Sequence, residues 1–68
     1  MIGQLLKEER HKAGLTQKQL ADKSGVSFVA INRIEKGLTP RLSIAIKIFG
    51  ALGLDLKFAV EPSEGSLS

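Results

Sequence analysis

Four glycines divide this chain, and what flanks them leaves little choice of fold. Gly14, Gly25, Gly37 and Gly53 each follow a stretch with apolar residues at helical spacing. Glycine at such a position commonly ends a helix. Just beyond the first three stand Thr16, Ser27 and Thr39, whose hydroxyls can accept from the unpaired N–H groups that open the next helix. The pattern predicts four short helices. Helices of this length are marginal in isolation, so their apolar faces must meet in a shared core.

The apolar residues assign those faces. The first helix carries Ile2, Leu5, Leu6 and Ala13, with Lys7, Glu8, Arg10, His11 and Lys12 between them. The second opens with three coincident signals: Thr16 as N-cap, Gln19 completing a capping box, and Leu15 with Leu20 as a hydrophobic staple. It turns Leu20 and Ala21 inward and ends near Ser24-Gly25. The third starts at Ser27, with Val26 and Ile31 as its staple, and directs Ala30, Ile31 and Ile34 to the core. In the fourth, Thr39 is read as the cap and Pro40 as the first helical residue, where no N–H is needed. Its inner face is read as Leu42, Ala45, Ile46, Phe49 and Leu52, with Ile44 and Ile48 as apolar surplus. Gly50 costs this helix about 1 kcal/mol against alanine; a close helix approach would account for it.

After Gly53 the period changes. Leu54, Leu56, Phe58 and Val60 alternate with Asp55, Lys57 and Ala59, the signature of a half-buried strand. No other segment reads as β, and an unpaired apolar edge needs a partner. The same strand of a second chain, paired across a two-fold axis, supplies one; an extended tail packed across the core is the alternative. Residues 61–68 are polar, with Pro62 and Gly65, and read as a mobile tail. The expected organisation is therefore 1–53 as a helical domain, 54–60 as a dimerisation strand and 61–68 as a tail.

Composition removes whole classes of function. The chain has no cysteine and one histidine, His11, which excludes disulfides and cysteine-bound zinc and leaves no histidine pair for a metal. Glu8 and Glu9 are adjacent and point about 100° apart on a helix, so they cannot share a site. No glycine-rich phosphate loop occurs. Catalysis is not expected, and no cofactor or metal is indicated. No apolar run approaches the roughly 18 residues of a membrane span, and the N-terminus lacks the pattern of a signal peptide; a cytoplasmic protein is expected. Charge is uneven. Residues 1–41 carry eight basic and four acidic side chains, and residues 42–68 carry two basic and three acidic. An anionic partner would meet the first forty residues, although a modest basic excess also simply aids solubility.

The second and third helices meet across Gly25-Val26 with almost no loop. Two short helices joined by such a turn form a helix-turn-helix. The string Thr16-Gln17-Lys18-Gln19-Leu20-Ala21-Asp22-Lys23-Ser24-Gly25-Val26-Ser27, continued by Ile31 and Ile34-Glu35-Lys36-Gly37, resembles the Xre/Cro-type helix-turn-helix family over residues 2–53. The resemblance implies an all-α, four- to five-helix, lambda-repressor-like domain that binds double-stranded operator DNA as a homodimer. The segment 54–60 is similar to the C-terminal strand of HipB-like antitoxins. That narrower likeness implies an autoregulating antitoxin with a HipA-like kinase toxin as partner. A protein-interaction module that neutralises a toxin by direct contact, and a stand-alone phage-type repressor, are the other readings.

In this motif the third helix enters the major groove with its N-terminal residues towards base edges. Its outward residues are Ser27, Phe28, Val29, Asn32 and Arg33. Asn32 can pair with adenine, and Arg33 can read guanine or hold a phosphate. Phe28 and Val29 suit thymine methyl groups, or lean back on the neighbouring helix. Gln17, at the start of the second helix, is a phosphate candidate, and the resemblance points to the same position; Lys18, Lys36, Thr39 and Arg41 are others. Lys7, Lys12, Lys47 and Lys57 read as solvated charges. Arg10 and Glu35 match an arginine–glutamate pair of the family that joins the first helix to the third, with phosphate contact as the rival role for Arg10.

Overall fold

A computed structural model describes residues 2–54, and among them it holds four helices and no strand: α1 (Ile2–Lys12), α2 (Gln17–Ser24), α3 (Phe28–Glu35) and α4 (Leu42–Ala51). Of the segment read as a strand only Leu54 is described; residues 55–60 and the tail at 61–68 lie outside. α2 packs against α3 and α4, and α1 packs against α3. The core is Leu6, Leu20, Ala21, Val26, Ile31, Ile34, Ala45, Ile48 and Phe49. Its five most deeply buried large side chains, Leu6, Leu20, Ile31, Ile34 and Ile48, come from all four helices. Each contributes about 1.5–3 kcal/mol by leaving water, so no helix keeps its apolar face covered alone.

Local chemistry sets the helix ends. The capping box at α2 is complete: the Gln19 N–H donates to Thr16 Oγ1 at 3.0 Å, and the Thr16 N–H donates to Gln19 Oε1 at 2.9 Å. Ser27 caps α3, its Oγ accepting from the Ala30 N–H at 3.1 Å. α1, α3 and α4 each end in a paired reversal that satisfies two terminal carbonyls. At α3 the Gly37 N–H reaches the Ile34 carbonyl at 3.0 Å and the Leu38 N–H reaches the Arg33 carbonyl at 2.9 Å.

Two faces differ from the sequence reading. On α1 the buried residues are Gly3, Leu6 and Arg10. Leu5 is exposed, and Ala13 lies in the turn after the helix. The cause is a close crossing at Gly3. A β-carbon there would collide with the Ile34 carbonyl oxygen and come within 3.2 Å of the Glu35 α-carbon. That approach fixes the rotation of α1 about its axis and turns Leu5 outward.

On α4 the buried residues are Ala45, Ile48 and Phe49, while Leu42 and Ile46 are 51% and 40% exposed. A helix apolar on nearly every side has no periodicity to choose its inner face; packing against α2 makes the choice. The start of α4 also differs. Thr39 and Pro40 lie before the helix, and Arg41, extended at φ −66° and ψ 153°, is the N-cap, with no side-chain hydrogen bond. Proline pushes the residue before it away from helical backbone, and here helical backbone starts only after Arg41. Gly50 is not explained by a close approach, because a β-carbon there would meet no described atom within 4 Å.

These two glycines should respond oppositely to the same substitution. Gly3→Ala is expected to destabilise the fold by about 1–3 kcal/mol through overpacking. Gly50→Ala is expected to stabilise it by roughly 0.5–1 kcal/mol. Urea denaturation followed by circular dichroism measures both; equal effects would contradict the crossing at Gly3.

Candidate nucleic-acid interface

The α2–α3 turn is Gly25-Val26-Ser27. Gly25 takes a φ of 77°, where a side chain would be strained, and its N–H donates to the Ala21 carbonyl at 2.9 Å. Val26 is buried and anchors the turn from inside. The Val26 N–H donates to Ser24 Oγ at 3.2 Å. The turn therefore sets α3 at a fixed angle, pinned from within by Ile31 and Ile34.

What α3 leaves outside is the candidate reading surface. Phe28 is 47% exposed and Val29 53%. Ser27 and Arg33 are exposed, and Asn32 is half-buried. Phe28 also borders a shallow depression together with Lys18, Ala21, Asp22, Gly25, Val26 and Ser27, so it is shared between solvent and the α2–α3 corner. The Ser27 oxygen already accepts from the Ala30 N–H, which leaves its O–H free to donate.

Lys18, Lys36, Thr39 and Arg41 are all exposed. The start of α4 lacks a side-chain cap, so its first N–H groups stand open beside Arg41, in an arrangement that suits a phosphate. Lys12 instead lies 3.4 Å from Glu9 as an exposed pair on α1, a contact worth little by itself.

Behind α3 lies a buried polar node. Arg10 Nε donates to Glu35 Oε2 at 2.7 Å and Arg10 Nη2 donates to Glu35 Oε1 at 3.1 Å, while Nη1 donates to the Leu15 carbonyl at 2.9 Å. The two side chains are 9% and 5% exposed. One guanidinium thus ties α1 to the approach of α2 and to the end of α3. Gln17 joins from α2: its Nε2 donates to Glu35 Oε1 at 3.0 Å, and its Oε1 accepts from Asn32 Nδ2 at 3.1 Å. Among the described residues no buried side-chain polar atom lacks a partner.

Burial opposes ionisation of Glu35. Hydrogen bonds from Arg10 and Gln17, with the positive charges of Arg10 and Lys7, outweigh it and hold the carboxyl below its ordinary value of 4.5.

The structure thus brings Arg10, Gln17, Asn32 and Glu35 together. It gives Gln17, expected only at the DNA backbone, an internal role. Sequence reasoning missed the Gln17–Asn32 link. One signal was available: Asn32 and Glu35 are three residues apart on a helix and therefore share a face. Of the residues expected at a dimer strand, Leu54 is 36% exposed, and Leu56, Phe58 and Val60 lie outside the described residues. Among the described residues no cluster of His, Asp or Glu could hold a metal, and no helix is long and apolar enough to cross a membrane.

Comparison with known proteins gives an independent line. A family model described as "Helix-turn-helix" matches residues 6–58. An uncharacterized HTH-type transcriptional regulator of Methanothermobacter thermautotrophicus is 44% identical over 50 residues, which cover 72% of this chain and 72% of that protein. No solved structure matches significantly.

The polar node makes stability depend on pH. The Glu35 carboxyl takes up a proton at higher pH in the unfolded chain than in the folded one, so acid favours unfolding. The contribution is complete above the ordinary value of 4.5 that the unfolded chain keeps, and is lost as pH falls through the lower folded value. Glu35→Gln is expected to cost about 3 kcal/mol at pH 7 and to flatten the acid branch of a stability–pH curve. An unchanged acid branch would show that the pair does not carry this dependence.

Proposed function

The chain belongs to the helix-turn-helix family, and on that premise we propose that it is a sequence-specific DNA-binding transcriptional repressor that reads duplex DNA with α3. The observation that carries this reading is the division of α3. Ile31 and Ile34 are buried, while Phe28, Val29 and Arg33 are left to solvent on a helix that starts directly after the Gly25 turn. In this reading Ser27, Phe28, Val29, Asn32 and Arg33 meet base edges, Phe28 and Val29 through thymine methyl groups. Lys18, Lys36, Thr39 and Arg41 meet phosphates, and Gln17 does so through its backbone N–H at the start of α2.

The functional unit in this proposal is a homodimer on a near-palindromic operator, with half-sites about 34 Å apart or a multiple of that. Leu54, Leu56, Phe58 and Val60 would form its paired strands. The likeness of 54–60 to HipB-like antitoxins extends the proposal to an autoregulating antitoxin whose partner is a HipA-like kinase toxin. Exposed Leu42 and Ile46 on α4 favour some protein contact, and DNA binding and toxin neutralisation are compatible on one chain.

A mobility-shift assay with DNA upstream of the chain's own gene tests the main reading. Arg33→Ala is expected to relax specificity at one base pair per half-site, with a loss of about 1–3 kcal/mol. Arg41→Ala is expected to weaken all sequences alike and to lower the salt slope by about one. No shift with any duplex would overturn the proposal, and an unaltered salt slope would remove Arg41 from it. Removal of residues 54–68 is expected to give monomers in sedimentation; intact dimers would contradict the paired strand.

A further inference from the structure

We infer that Gln17 is a positioning residue for Asn32, and that Glu35 sets the direction in which Asn32 presents its carboxamide. This rests on the proposal that Asn32 meets a base. Hydrogen-bond polarity dictates these orientations. An ionised carboxylate only accepts, and Arg10 occupies both Glu35 oxygens from one side. Gln17 must therefore turn its NH2 towards Glu35, as it does at 3.0 Å; the reversed amide would set two acceptors against each other.

That choice points Gln17 Oε1 at α3, where it accepts from Asn32 Nδ2 at 3.1 Å. Asn32 must in turn offer its NH2 to Gln17. It retains Oδ1 and one N–H of Nδ2, and in this inference Gln17 takes the hydrogen pointing away from Oδ1, so that one acceptor and one donor remain side by side. Adenine in the major groove offers the complementary pair, its N6 as donor and its N7 as acceptor.

A phosphate contact changes affinity for every sequence equally, whereas a positioning residue changes the preference at one base pair. Without the Gln17 acceptor the Asn32 carboxamide has two orientations of similar standing, and only one of them matches adenine.

Selection from a random duplex library tests it. The full chain is expected to prefer adenine at one position per half-site by roughly 5- to 150-fold, and Asn32→Ala should abolish that preference alone. Gln17→Met should lower it at the same position by about threefold or more and leave the other positions unchanged. A uniform loss of affinity in Gln17→Met with the adenine preference intact would overturn the inference but leave the base contact standing. No change at any position in Asn32→Ala would overturn the base contact, and the inference with it.

A second measurement needs no variant. Asn32 is the one asparagine of the chain, so selective 15N labelling isolates its side-chain NH2 pair. In the free protein that pair is expected to exchange with solvent measurably more slowly than free asparagine; exchange at the free rate would overturn the link.

Discussion

The guanidinium of Arg10 holds three parts of the molecule at once: its own helix, the Leu15 carbonyl before α2, and the Glu35 carboxylate at the end of α3. Removing two opposite charges from water is costly, and the pair's mutual attraction does not guarantee a net gain in stability. Its value lies in definition. Apolar contacts among Leu6, Leu20, Ile31 and Ile34 are non-directional and tolerate small rotations. A two-point arginine–carboxylate contact fixes geometry as well as proximity. The crossing of α1 over the end of α3 is thereby set twice, by that contact and by the close backbone approach at Gly3.

This arrangement links packing to recognition. The end of α3 is tied to α1, and its beginning is tied to α2 through the Gly25 turn and the buried Val26. A helix fixed at both ends presents its outer side chains at a defined angle, which base readout requires. The same node then extends one step further, through Gln17, to Asn32. In the proposed role, the ion pair that orients the helix also orients one of the side chains that reads.

Much of this is legible in the sequence alone. Thr16 with Gln19, Ser27, and the four glycines marked the helix boundaries because capping is local chemistry, written within three or four residues. The α2–α3 core was legible because Leu20, Val26, Ile31 and Ile34 are the only large apolar side chains their segments offer inward. α4 was not legible in the same way: a helix apolar on most of its circumference carries no phase, so Ile48 and not Leu42 or Ile46 entered the core by packing. The role of Gly3 was hidden because a close backbone approach leaves no periodic trace. The Gln17–Asn32 bond joins residues fifteen apart and depends on the angle between two helices. The exposure of Phe28 and Val29 was anticipated from helical phase, but the side chain of Phe28 also borders the α2–α3 corner, a division that spacing alone does not specify.

In the proposed function, everything depends on α3 meeting duplex DNA through its N-terminal, outward residues. The most direct measurement is a 1H–15N NMR titration of the full chain with a duplex it has enriched from a random library. The largest shifts are expected at Ser27, Phe28, Val29, Asn32 and Arg33, with smaller ones at Lys18, Lys36 and Arg41. Shifts confined to the outer faces of α1 and α4, with α3 unmoved, would contradict it.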